Sequence, residues 1–203
     1  MKEFFKAILR GIVKGAIYIY CKIVYRFELV GKENIPKKGA IIICGNHRSF
    51  LDPPLMEVTT GRYTRFLAKE ELTKNKFLAF LGLVFDAILV KKDSKEVKAL
   101  KESLQTLKKE QCLALFPEGT RNGLEKGEKV KDGAAFFALK TGVPVIPCGI
   151  SGGEKPFKKV KIKYGKPLDL SEYSKMYKDK DTEKRALEET TKVIMDHILE
   201  LTK

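Results

Sequence analysis

At 203 residues, 43% hydrophobic and 33% charged, the chain is the size of one sizeable domain and too apolar to be a disordered segment. Forty Lys and Arg against 26 Asp and Glu leave a net charge of +14, which points to an anionic partner (nucleic acid, a membrane surface or a phosphorylated substrate) or to no more than a basic solubilising surface. Cys21, Cys44, Cys112 and Cys148 lie far apart with no CxxC, so neither a zinc site nor a disulfide framework is indicated, and a reduced, cytoplasmic setting fits.

The first 26 residues carry six basic side chains and one acid, Glu3. Lys2, Lys6, Arg10 and Lys14 recur every fourth position, with Phe4, Phe5, Ile8, Leu9, Ile12, Val13 and Ile17 between them. A step of four drifts by only about 40° around a helix, so the cations form one slanted stripe and the apolar pairs another. The segment is too interrupted by charge to span a bilayer, and no small-residue cleavage site follows it. It can lie in the headgroup plane with its apolar side down, or cover the protein's own core. The chain divides into this segment, 1–30, and one α/β domain, 31–203.

Beyond it, apolar β-branched runs at 40–44, 63–68, 87–90, 112–116, 143–150 and 160–164 predict strands. Stretches 53–60, 76–82, 94–109, 132–141 and 182–201 predict helices, with Ser94 as N-cap of the third and Asp181 or Thr182 opening the last. This alternation predicts an α/β fold: a single domain with a largely parallel mixed sheet flanked by helices. Ligands gather at the carboxyl ends of such strands, where "GNHRSFLD", "KKD" and "PEGTRN" fall.

His47 and Asp52 supply an imidazole and a carboxylate to orient it, half of an acid–base device. Five residues apart on one helix they would not share a face, so the pair works only with His47 in the turn before the helix. Asp52 is equally an N-cap ahead of Pro53. In "FPEGTRN", Glu118, Gly119, Thr120 and Arg121 combine a carboxylate, a glycine permitting close approach, a hydroxyl and a guanidinium that grips phosphate bidentately. "GISGG" (149–153) matches G-x-S-x-G, with Ser151, Asp169 and His197 in hydrolase order. It does not lead into a helix, because Gly152, Gly153 and Pro156 follow, so it is set aside.

"NHRSFLD" resembles the NHx4D box and "FPEGTRN" the FPEGTR box of the membrane-associated glycerolipid acyltransferases, most closely their bacterial 1-acyl-sn-glycerol-3-phosphate acyltransferase branch. "FLAKEEL" and "VPVIPCGI" are similar to two further family segments, and the order holds from about Gly31 to Gly165. The second block departs, with Lys91 and Lys92 where the family usually has aspartate and arginine. The resemblance implies acyl transfer from acyl-CoA or acyl carrier protein to the sn-2 hydroxyl of a lysophospholipid. His47 would be general base and Asp52 its orienter; Glu118, Gly119, Thr120 and Arg121 would bind the glycerol phosphate, Lys69 and Lys92 would assist, and Val143 to Pro147 would line the acyl or donor side. It implies no cofactor, no metal and no nucleic-acid partner, and a peripheral or monotopic place on the cytoplasmic face of the membrane. Acylation of another lysolipid or of glycerol 3-phosphate, and non-catalytic membrane binding, are the alternatives.

Overall fold

A computed structural model describes residues 2–91, 97–153 and 157–203, without the side chains of residues 2 and 3. The elements in chain order are α1 (Lys2–Val24), β1 (Glu28–Val30), β2 (Ile41–Gly45), α2 (Asp52–Thr60), β3 (Thr64–Lys69), α3 (Lys76–Val84), β4 (Ile88–Val90) and α4 (Val97–Lys108). They continue with β5 (Cys112–Leu115), α5 (Gly133–Thr141), β6 (Val145–Gly152), β7 (Val160–Tyr164), α6 (Ser171–Tyr177) and α7 (Glu183–Thr202). The strands form a seven-stranded sheet ordered β1-β7-β6-β2-β5-β3-β4, parallel throughout except for β6 against β7. This is the expected α/β architecture. The strand β1 and helix α6 were not foreseen, and the proposed Ser94 cap lies outside the described residues.

The central strands are apolar on both faces because both are covered. In β2, Ile41 and Ile43 join one core with Leu55 and Met56 of α2, while Ile42 and Cys44 join a second core with Ala99, Ala135 and Ile198 of α4, α5 and α7. All four cysteines are free and buried, and burial pushes the Cys44, Cys112 and Cys148 thiols up, so they are packing groups, not nucleophiles.

The helix α1 reverses the usual amphipathic arrangement. Its basic stripe faces the protein: Lys6 pairs with Asp86, Arg10 donates to Asp86 at 2.5 Å and to the Val84 carbonyl at 3.0 Å, and Lys14 pairs with Glu57 at 2.9 Å. The acids come from the turn after α3 and from α2, and Glu57 is only 2% exposed. The apolar stripe faces outward, with Phe4 67% and Ile12 65% exposed. Of the two alternatives, covering a core is met at the C-terminal end of the helix through Cys21, with Tyr25 just beyond it; the rest of the helix leaves its apolar side uncovered. No described helix is long and apolar enough to cross a membrane.

Candidate active site

Two loops at the carboxyl edge of the sheet, following β2 and β5, build the site. Asn46 carries β2 one step past its backbone pairing: its side chain donates to the Ile150 carbonyl at 2.9 Å and accepts from the Ile150 amide at 2.7 Å. A side-chain amide thus replaces one rung of the ladder, and the main chain is released to turn.

His47 stands in that turn, before α2, as the five-residue spacing requires. Its Nδ1 lies 3.0 Å from Asp52 Oδ2. The same oxygen accepts the backbone amides of Arg48 and Ser49, each at 2.6 Å. An oxygen so engaged is an acceptor only, so the shared proton sits on Nδ1 and Nε2 is left as the basic nitrogen. Asp52 is not the helix N-cap; Leu51 holds that position. The imidazole stacks on Phe116, centroids 4.4 Å apart, and its side chain is 18% exposed: braced on one face and still reachable.

The loop after β5 is tied to this turn from beneath. Glu118 Oε1 accepts the His47 amide at 2.9 Å, Glu118 Oε2 accepts the Leu124 amide at 3.2 Å, and the Asn122 amide donates to the His47 carbonyl at 2.6 Å. Glu118, expected to bind the glycerol phosphate, is buried and committed to backbone amides instead. The reason is chemical as well as geometric: a carboxylate repels phosphate but satisfies two N–H donors at once. Gly119 adopts φ 68° in the turn whose amide returns to the Phe116 carbonyl. Thr120 donates to Glu128 at 3.2 Å. The Arg121 guanidinium lies 3.6 Å over the ring of Phe50, three residues beyond His47, so it flanks the imidazole turn.

Lys69 is the exposed last residue of β3, paired in register with Val90. Phe66 packs in the core beside Phe116 and Leu67 against the opposite one, so strand alternation sets Lys69 on the side away from the imidazole's stacking partner. Lys91 lies 3.6 Å from Glu70. Lys92 falls outside the described residues. Val145 and Ile146 of the proposed donor-side lining are fully buried in the two cores. Among the described residues no cluster of His, Cys, Asp and Glu could hold a metal.

The G-x-S-x-G stretch has a packing explanation. It lies within β6 and its hairpin to β7, and a Cβ at Gly149 would stand 2.5 Å from Leu201 Cβ of α7. His197 is an exposed α7 residue whose Nδ1 bonds the Val193 carbonyl at 2.9 Å.

The Acyltransferase family model matches residues 26–151, which contain the His47–Asp52 pair and both bonded loops. The chain belongs to the acyltransferase family. It is 35% identical to the 1-acyl-sn-glycerol-3-phosphate acyltransferase of Borreliella burgdorferi, over 59% of this chain and 48% of that protein. It is 28% identical to the 1-acyl-sn-glycerol-3-phosphate acyltransferase of Bacillus subtilis, over 72% and 76%. The probable 1-acyl-sn-glycerol-3-phosphate acyltransferase of Mycoplasma pneumoniae matches at 30% over 68% of this chain. The chain spans about half the length of the Borreliella and Mycoplasma relatives, 48% and 53%. The crystal structure of the 1-acyl-sn-glycerophosphate (LPA) acyltransferase from Thermotoga maritima superposes with a TM-score of 0.66 at 26% identity, covering 97% of this chain and 82% of that one. Within this acyltransferase fold, the sequence pattern foresaw His47 and Asp52 as partners, whereas the bracing roles of Asn46, Phe116 and Glu118 carried no signal of their own.

Proposed function

We propose that this chain transfers a fatty acyl group from a thioester, acyl-CoA or acyl carrier protein, to the sn-2 hydroxyl of 1-acyl-sn-glycerol 3-phosphate, forming phosphatidic acid. The observation that carries the reading is the His47–Asp52 pair with Nε2 left basic. Ser49 Oγ is turned toward the Leu51 amide and the cysteines are buried, so the attacking oxygen is assigned to the substrate. His47 Nε2 takes the hydroxyl proton as that oxygen adds to the thioester carbonyl. The tetrahedral intermediate collapses with cleavage of the C–S bond, and the imidazolium returns the proton to the departing thiolate. Asp52 holds the ring and stabilises its charged form. Arg121, at the rim on Phe50, takes the acceptor's phosphate.

The acceptor resides in a bilayer, and the outward face of α1 meets it there. Phe5 and Leu9 of α1 join Phe80 and Leu83 of α3 around a groove of about 280 Å³, with Leu83 70% exposed. Such a contiguous apolar surface marks an interaction site, and a monotopic seat on the cytoplasmic leaflet gives His47 access to lipid without full extraction. The test is turnover of lysophosphatidic acid by the purified chain, with acyl-CoA and acyl carrier protein offered separately. His47→Ala should abolish transfer in a protein that still melts cooperatively; retained turnover would overturn the general-base role.

A further inference from the structure

The imidazole of His47 is held at one edge and on one face. Asp52 Oδ2 lies 3.0 Å from Nδ1, and the Phe116 ring stacks on the face, centroids 4.4 Å apart and planes 23° from parallel. Phe116 is itself confined. Phe66, buried in the core, lies 20° from parallel to it with centroids 6.4 Å apart. At its edge stands Gly45, where a Cβ would come within 3.5 Å of Phe116 Cε1 and 3.3 Å of Met56 Sδ.

Mechanical support needs bulk, which a leucine would also supply. A ring presented face-on adds something else, because its negative face attracts a cation and does little for a neutral group. His47 is neutral before transfer and positive once it has taken the hydroxyl proton, so the ring beneath it favours the second form. Asp52 leaves room for such help. Its Oδ2 also accepts the Arg48 and Ser49 amides, each at 2.6 Å, so its charge is divided among several N–H donors.

Resting on the acyl-transfer reading above, we propose that Phe116 is a positioning residue that acts through His47: its face stabilises the positive charge the imidazole gains as the acceptor's O–H proton passes to Nε2. At a partly exposed site this is worth a factor of about two to five in the balance between charged and neutral imidazole. The other charged groups about the turn are Asp52 of α2, Arg48 of the turn itself, and Glu118 and Arg121 of the loop after β5. None of them changes when the ring is altered.

The pH dependence of kcat/KM separates this role from support alone. Phe116→Leu keeps apolar bulk and removes the ring face. Loosened support lowers kcat/KM by one factor at every pH. A weaker hold on the charge slows transfer at alkaline pH, where the base is already neutral, and offsets that loss at acid pH, where a larger share of the imidazole is free to act. The deficit of Phe116→Leu against wild type should therefore be about twofold to fivefold larger at the alkaline end of the profile than at the acid end. Titration of the acceptor phosphate enters both proteins alike and cancels. Phe116→Tyr, which keeps the face, should show a deficit independent of pH. Phenylalanine carrying successively more ring fluorines at position 116 keeps nearly the same shape while draining the face of charge, and should move by stages from wild type toward Phe116→Leu.

A second readout needs no turnover. The chain has two histidines, so NMR follows both imidazoles. That of His47 should titrate at lower pH in Phe116→Leu, while that of His197, exposed on α7, stays in place. A rate deficit equal at both ends of the profile, or an unmoved His47 titration, overturns the proposal. If Phe116→Leu does not fold, the fluorinated series decides on the same terms. Absence of turnover by the wild type with lysophosphatidic acid and either donor sinks the acyl-transfer reading, and the NMR comparison still decides whether the ring favours the charged imidazole.

Discussion

Replacing Glu118 with glutamine separates two assignments for this carboxylate. The structure has Oε1 on the His47 amide at 2.9 Å and Oε2 on the Leu124 amide at 3.2 Å, in a residue 5% exposed. Glutamine offers one oxygen, so whichever amide keeps it, the other meets an NH2 group and is left buried without an acceptor. A hydrogen bond to a charged group contributes roughly 1.5–3 kcal/mol, so Glu118→Gln should cost about 2 kcal/mol. For a domain of this size each kcal/mol moves Tm by about 2–4 °C, and a fall of about 4–8 °C is expected. kcat should fall with it, because the amide that loses its anchor belongs to His47 itself or to the loop that supports it. The assay is a thermal melt of wild type and variant in the same detergent, alongside KM for lysophosphatidic acid. If Tm stays within a degree while acceptor KM shifts, Glu118 is a substrate ligand and the bracing argument is wrong.

Asp52→Asn should lower kcat by about tenfold to a hundredfold with a smaller change in KM, because its amide oxygen takes the place of the one that accepts the Arg48, Ser49 and Nδ1 N–H groups but no longer carries the charge that stabilises the imidazolium; a variant within threefold of wild type would remove Asp52 from the mechanism. Burial raises the Glu57 carboxyl to about 7 from an ordinary 4.5, with Lys14 and Arg10 pulling part of the way back. The folded state then holds this proton more tightly than the unfolded one, so its contribution to stability falls as pH rises from about 4.5 to 7, by about 3 kcal/mol. Urea unfolding at pH 5 and 8 should show that loss in wild type and a flatter profile in Glu57→Gln; parallel profiles would reject it. Ile12→Glu combined with Leu83→Glu, both on the outward apolar face, should weaken sedimentation with anionic lipid vesicles by about tenfold or more at unchanged Tm, and undiminished sedimentation would place the membrane contact elsewhere.

The parts of the fold that were legible are those whose signal is local. "AIIIC" and "CLALF" read as strands because both of their faces are covered, so every residue is apolar. The His47–Asp52 pairing was legible because the spacing admits only one arrangement, histidine in the turn ahead of the helix. Strand β1 has three residues and α6 seven, too few to establish a period. The remaining surprises depend on partners remote in sequence. Nothing near Lys6, Arg10 and Lys14 announces that Asp86 and Glu57 will draw them inward. Glu118 belongs to a motif with a glycine and an arginine, and only the distance to the His47 amide reveals that it serves the protein's own backbone.

Lys6, Arg10 and Lys14 meet their acids along a seam that water still partly reaches. At Glu57 the loss of water already outweighs the pull of Lys14 and Arg10, so any contact that dried this seam further would favour the neutral, protonated carboxyl over the ion pair. Whatever covers the outer side of the helix is therefore linked to a proton on its inner side, and by reciprocity that proton would favour the covering by the same free energy.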